Sequence, residues 1–412
     1  QRLAVVNNQL SIVNKPENED RDIVTTPNFI VREILHLTMK DNLAHLTDEQ
    51  ILCLKCSDIA CGSGAFLLET FQLLCDALVD FYTLNNKNKL IQTDVNTYKL
   101  KFEVKRSVLT NCIYGVDKDF NAVEACKFGL LLKLLEGEDE TTIASFHPIL
   151  PNLDENIFYG NSLLESSDVP GNQIEEINPF DFGERKFDYI VGNPPYMKTE
   201  DIKVFTPKEH KLYPNRYKSA YKQYDKYFLF IERAFKLLKE GGEMGYIVPS
   251  KFMKVGAGKE LRNFITIHKG IKAIISFGAH QVFSDKSTYS CIVVLQNKEN
   301  DSFKYSEVDN LSKWKVRDMS SFSENERNIS CIGKETWVLC SDRLQSIFNH
   351  ISDQSAPLGE IVGDDYIFNG IQTSANKVYI FQPESEDRQY YYLRYNRQLY
   401  KIEKKVTKPY FK

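Results

Sequence analysis

Apolar residues in this chain alternate between short solid runs and longer periodic stretches. The runs cover 52–59, 112–116, 187–191, 245–248, 271–277 and 288–295, and Gly, Pro, Asn or Asp closes most of them. Such runs are too short for buried helices and read as strands covered on both faces. Between them, 65–84 and 121–135 are long apolar stretches of helical length. Tyr227, Ile231, Ala234 and Leu238, then Leu261, Phe264 and Ile265, recur at helical spacing. Residues 25–37 read as a turn and a helix, with Pro27 near the start, where a missing N–H costs nothing. Asn121 and Glu124 have capping-box spacing, and Gly241-Gly242 is expected to stop the preceding helix. Strands alternating with helices predict an α/β fold, Rossmann-like, with a mostly parallel sheet. The neighbouring runs at 271–277 and 288–295 predict an antiparallel edge at its C-terminal side.

The rhythm fades after Leu295, and from Ile361 the pattern turns aromatic and β-rich. This suggests an N-terminal extension (1–24), a main domain (25–300), a linker region (301–340) and the start of a β-rich domain (341–412). The length of 412 residues, at roughly 150 per domain, allows about two to three domains. The chain begins at Gln1 and reads as a fragment of something longer.

Composition narrows the class. A chain 42% hydrophobic and 26% charged is globular rather than disordered. No apolar run approaches the roughly 20 residues of a membrane span. Nine cysteines, an odd number, argue against a secreted disulfide framework. Cys53 and Cys56 have CxxC spacing, with Cys61 close by, but a matching second pair is missing. They read as buried free thiols on a strand, so no metal site and a reducing, cytoplasmic setting are expected. Net charge is −4, which does not advertise nucleic acid, but 198–226 and 388–412 are basic and laced with tyrosines. Those two stretches are compatible with phosphate contacts and base stacking.

Three short motifs carry chemistry. Asp58-Ile59-Ala60-Cys61-Gly62-Ser63-Gly64-Ala65-Phe66 joins a strand to a long helix. Its glycines allow a tight turn and close approach of a ligand to the main chain at a helix N-terminus. It fits neither the dinucleotide Gly-x-Gly-x-x-Gly pattern, since position 67 is Leu67, nor a P-loop. Asp117 ends the next strand, where an acid can accept both hydroxyls of a ribose. Asn193-Pro194-Pro195-Tyr196 follows a buried strand directly. The prolines stiffen the backbone and leave carbonyls unpaired, Asn193 adds an acceptor and Tyr196 a flat face. Together they make a clamp for a planar group bearing an NH2.

With Thr26-Pro27 first and Gly160-Asn161-Ser162-Leu163 between the others, these motifs resemble, in order, those of S-adenosylmethionine-dependent DNA adenine-N6 methyltransferases of the gamma arrangement. Gly370-Ile371-Gln372-Thr373 and Lys408-Pro409-Tyr410 resemble type IIG restriction-methylase fusions, with type I modification subunits next. The resemblance implies that S-adenosylmethionine is bordered by Thr26 and Pro27. Asp58, Ala60, Gly62, Gly64 and Phe66 would surround its methionine half. Asp117 would hold its ribose, Lys118 would lie beside its adenine and Asn161 would contact the adenine amino group. Asn161 stands where the family usually has Asp, and Ile59 where it usually has Pro. Asn193, Pro194, Pro195 and Tyr196 would be catalytic, and Phe283 would face Tyr196 across an adenine flipped from double-stranded DNA. Residues 341–412 would begin a target-recognition domain. A restriction nuclease, if one accompanies the chain, lies upstream of Gln1 or on another subunit.

Three rival readings share parts of this pattern. A glutamine-N5 protein methyltransferase faces the same NH2 problem but does not need the basic insert or a second domain. Cytosine-N4 methylation more often carries Ser before the prolines. A non-catalytic DNA-binding module would keep the fold without the transfer.

Overall fold

The computed structural model describes residues 2–6, 9–13, 26–283, 289–316, 322–340, 342–356, 358–363, 380–395 and 398–407. It divides into two compact units, Gln1–Asp342 and Arg343–Lys412.

The first unit is built on one sheet. Its strands are β1 (Cys56–Asp58), β2 (Ile113–Asp117), β3 (Ile157–Tyr159), β4 (Phe187–Gly192), β5 (Leu238–Pro249), β6 (Ile271–Ser276), β7 (Ser290–Gln296), β8 (Ser302–Val308) and β9 (Phe322–Asn328). They lie in the order β3-β2-β1-β4-β5-β7-β6-β8-β9. The β3-β2-β1-β4-β5 half is parallel throughout. β7 runs antiparallel to both β5 and β6, β8 is parallel to β6, and β9 closes the edge antiparallel to β8. The expected antiparallel pair is therefore present but interior. The 301–340 region, expected as a linker, instead adds two strands to the sheet.

Side-chain alternation along the central strands feeds two cores, one per face. Val191, Ile247, Ile292 and Val294 join one cluster, whereas Ile190, Tyr246, Val248, Val293 and Leu295 join the other. The helices covering the sheet include α1 (Asn28–Leu35), α2 (Ala65–Asn85), α3 (Phe102–Cys112), α4 (Phe120–Leu135), α5 (Thr199–Phe205), α6 (Pro207–Arg216), α7 (Lys226–Leu237) and α8 (Lys259–His268). The cap of α4 is Asp119, which accepts from the Asn121 and Ala122 N–H groups, rather than the expected Asn121. α7 ends at Leu237, and Gly241-Gly242 lie inside β5, where the pairing with β4 shifts register between Phe187 and Tyr189. α1 rests on bare backbone: a Cβ at Gly245 would sit 2.7 Å from both Ile34 Cγ2 and Thr38 Cγ2.

Because β7 is antiparallel, it starts at the end where β5 finishes, with Ser290 opposite Pro249. The connection from β6, which carries Phe283, is thereby brought to the carboxyl ends of the central strands. The free cysteines do not share one strand: Cys53 closes a short helix (Asp48–Cys53) and is exposed, Cys56 is in β1 and Cys61 in the following turn. No helix among the described residues is long and apolar enough to cross a membrane.

The second unit holds a short helix (Leu358–Val362) and a three-stranded antiparallel sheet of Ser385–Glu386, Tyr390–Tyr395 and Gln398–Glu403. Lys401 lies 3.7 Å over the Tyr390 ring and Lys404 4.8 Å over Tyr391, so part of the basic, tyrosine-rich stretch is paired within the sheet. The motifs at 370–373 and 408–410 lie outside the described residues.

Candidate active site at the carboxyl ends of the strands

The turn after β1 is shaped by its glycines. Gly62 and Gly64 have φ of +53° and +91°, a region L side chains rarely adopt. Gly62 has open space where a side chain would be, whereas a Cβ at Gly64 would meet Cys126 Sγ on α4 at 2.6 Å. Asp58 Oδ1 accepts from the Ala60 N–H at 3.0 Å, and a Cβ at Gly192 would lie 2.7 Å from the same oxygen. β4 can approach β1 this closely only because position 192 has no side chain. Burial raises Asp58 to about 8, against the pull of the Ala60 amide, and neighbouring Asp117 adds to the rise.

At the end of β2, Asp117 Oδ2 accepts from the Gly62 N–H at 2.7 Å and Oδ1 from the Asp119 N–H at 2.8 Å. Burial raises its pKa, with the Asp119 and Gly62 amides pulling the other way. Asn161 is 4% exposed. Its Oδ1 accepts from the Leu163 N–H at 3.1 Å, while Nδ2 has no partner. The loop is tied to the β1 turn by Ser162 Oγ, which donates to the Ile59 carbonyl at 2.6 Å. Phe66 is buried on the first turn of α2.

Asn193-Pro194-Pro195-Tyr196 follows β4 directly as irregular chain. Asn193 Nδ2 donates to Thr26 Oγ1 at 3.0 Å, and its Oδ1 lies 2.5 Å from the Tyr196 hydroxyl. That hydroxyl is also 2.9 Å from the Ile247 carbonyl, so its single proton is shared between two acceptors. Pro194 is buried, and among the described residues no backbone N–H outside the regular ladders reaches its carbonyl. The Tyr196 ring meets Tyr227 edge-on at 5.8 Å. Phe283 is 2% exposed, in the buried cluster that Tyr196 borders.

The basic insert after the tetrapeptide keeps most of its lysines exposed but turns most of its tyrosines inward. Tyr213, Tyr217 and Tyr224 are buried, and Tyr217 donates to the Leu163 carbonyl at 2.6 Å. Arg216 pairs with Glu165 and Asp168 on the loop that follows Asn161. Lys118 does not project freely, because its Nζ meets Glu209 of α6. Glu209 is buried and also accepts from Tyr213 at 2.6 Å. Burial opposes its ionisation, yet Lys226 and Lys118 hold its pKa below the ordinary value. The insert therefore folds over the Lys118–Asn161 side of the site. Neither Glu209 nor the Thr26–Asn193 bond was visible in the sequence, since their partners lie far along the chain and no local motif marks them.

Strand order, the glycine turn and acid at the ends of β1 and β2, and the tetrapeptide after β4 define a class I methyltransferase-like α/β protein. The family model described as "Eco57I restriction-modification methylase" matches residues 111–283. The type II restriction enzyme and methyltransferase RM.Eco57I of Escherichia coli is 50% identical over 98% of this chain. The type II methyltransferase M.BstVI of Geobacillus stearothermophilus is 29% identical over 88% of it. The chain is a homologue of the Eco57I-type restriction-modification methylases, and it spans 40% and 60% of these two relatives' lengths. Among solved structures, a nuclease-deletion mutant of the Type ISP restriction-modification enzyme LlaGI with a DNA substrate mimic aligns at a TM-score of 0.55. It is 15% identical, and the match covers 79% of this chain and 28% of that one. The likeness shows the shared fold.

Proposed function

We propose that this chain transfers a methyl group from S-adenosylmethionine to N6 of an adenine extruded from double-stranded DNA, as the modification half of a restriction-modification system. One observation carries the reading: the Asn193 amide is held by Thr26 and Tyr196 beside the Pro194 carbonyl, at the end of β4.

The chain's residues suit the cofactor. The buried Asn161 Nδ2 lacks an acceptor, and an adenine ring nitrogen supplies one, while the second lone pair of Oδ1 can take the amino group. Asp117 is aligned by two main-chain amides to receive ribose hydroxyls. The raised pKa of Asp58 suits a site that takes up a cationic amino-acid group. When bound, S-adenosylmethionine supplies an electrophilic methyl on a sulfonium.

An aromatic amine is a poor nucleophile because its lone pair is delocalised into the ring. Asn193 Oδ1 retains a lone pair beyond the one facing Tyr196, and the Pro194 carbonyl offers another. Accepting both N6 hydrogens localises the lone pair on nitrogen and fixes its direction, and such positioning supplies most of the acceleration. Extrusion of the base costs stacking, which the Tyr196 ring would restore, with Phe283 in the cluster it borders. A nuclease partner and a target-recognition role for 341–412 belong to the same proposal.

The test is transfer of labelled methyl from S-adenosylmethionine to duplex DNA, followed by nucleoside analysis. N6-methyladenine supports the reading. N4-methylcytosine, labelled protein glutamine or no transfer each refutes it.

A further inference from the structure

Arg233 of α7 is a guanidinium only 5% exposed. A buried cation is costly unless its donors are matched, and its partners here lie on one short loop, the one that leaves β3. Its Nε donates to the Ser162 carbonyl at 3.0 Å and its Nη2 to Glu165 Oε1 at 2.7 Å. The Phe182 ring lies against the guanidinium at 4.8 Å. Arg216 of α6 meets the same Glu165 oxygen at 3.0 Å, and the Tyr217 hydroxyl donates to the Leu163 carbonyl. The loop itself abuts the end of β2, because the Gly160 N–H donates to the Asp117 carbonyl at 2.8 Å.

The Ser162 carbonyl and the Leu163 N–H belong to one peptide unit, and a trans peptide directs them to opposite sides. Arg233 holds the carbonyl end, and the N–H end donates to Asn161 Oδ1 at 3.1 Å. This plane cannot turn without breaking both contacts. A turned-over Asn161 would bring its NH2 against that N–H, donor against donor. The amide is thus fixed with its oxygen on the peptide, which leaves Nδ2 as the unmatched buried donor. A cation on the carbonyl also polarises the peptide and strengthens its N–H. A lysine could serve Glu165, but only the planar fork serves the carboxylate and the main-chain carbonyl together.

We propose that Arg233 is a positioning residue for the base of the cofactor. Through the Ser162–Leu163 peptide it fixes which end of the Asn161 amide donates and which accepts. The inference rests on the methyltransferase reading above, in which Asn161 meets the cofactor's adenine. Adenine offers an amino donor and a ring-nitrogen acceptor. Hypoxanthine reverses both, with a carbonyl at C6 and an N–H at N1. A locked Asn161 takes the first and refuses the second, whereas an unlocked one turns over and takes either.

The test is calorimetric binding of S-adenosylhomocysteine and S-inosylhomocysteine to the full chain. The wild type should prefer the adenosyl compound by roughly 10- to 100-fold, the range for leaving buried donors and acceptors unmatched. Arg233→Lys keeps the charge facing Glu165 and loses the fork, so its melting temperature should stay near the parental value while the preference drops to about threefold or less. Arg233→Met should lose the preference too, with a lower melting temperature. In an Asn161→Ala background neither change at 233 should alter the preference, since the group they act through is gone. A wild type without preference, a parental preference in either Arg233 variant, or an equal loss in the Asn161→Ala background overturns the proposal. Methyl transfer to duplex DNA by the wild type is measured alongside. No transfer with the Arg233 dependence intact would refute the DNA-methylation reading and leave the positioning role standing.

Discussion

Replacing Thr26 by Val keeps the side-chain shape and removes the oxygen that accepts from Asn193 Nδ2 at 3.0 Å. Thr26 is 7% exposed, so solvent is a poor substitute. An amide N–H left without an acceptor there costs about 1–3 kcal/mol. The Asn193 side chain can recover part of that by turning over, but it then presents NH2 where the oxygen stood, donor against donor for the target amine. Either outcome is paid at the transfer step, and 1–3 kcal/mol corresponds to roughly a 5- to 150-fold loss of rate. The assay is single-turnover methyl transfer at saturating S-adenosylmethionine, with cofactor affinity measured separately by calorimetry. The rate should fall within that range, cofactor affinity should not change, and Thr26→Ser should recover most of the rate. If affinity falls while the saturated rate stays parental, Thr26 serves the cofactor, as the family resemblance implied, and the argument from Asn193 is refuted.

Further outcomes follow from the same geometry. Asn193→Ala should abolish transfer and leave cofactor binding intact by calorimetry; transfer at the parental rate would rule out the clamp. Asp58 is raised from 3.8 to about 8 in the folded chain, so its contribution to stability is fully present below about pH 3.8 and is lost as pH rises toward 8. Denaturant titrations from pH 4 to 8 should show that loss, and Asp58→Asn should flatten it. A cationic ligand group beside Asp58 should expel its proton, so binding heats near neutral pH should differ between buffers of different ionisation enthalpy; equal heats would contradict this. Gly64→Ala combines a left-handed backbone with a 2.6 Å approach to Cys126 Sγ, and should weaken cofactor binding severely while Gly171→Ala does not.

What could be read from the sequence was local. The glycine turn, Asp117 and the tetrapeptide each sit within a few residues of the strand that presents them, so spacing alone places them at one end of the sheet. Pairings that depend on distant chain were hidden. Lys118 gives no sign that Glu209 will meet it, and the tyrosines at 213, 217 and 224 looked like a stacking surface until the insert folded them inward. β8 was missed because Lys304 and Ser306 break its apolar positions into short alternation, and β9 because it is polar throughout after Phe322, at the margin of the sheet. The helix Phe102–Cys112 was missed for a related reason: Lys105 and Arg106 break up its apolar face, although the Lys105 ammonium is held by Glu138 at 2.8 Å.

The seat of α1 on Gly245 reaches further than its position suggests. Pro27 caps that helix, and Thr26 stands immediately before it. A single methyl group at 245 would act as a wedge under the helix, tipping its start and drawing Thr26 off Asn193. A lesion at that glycine, in the middle of a central strand, would then cost chemistry as well as stability.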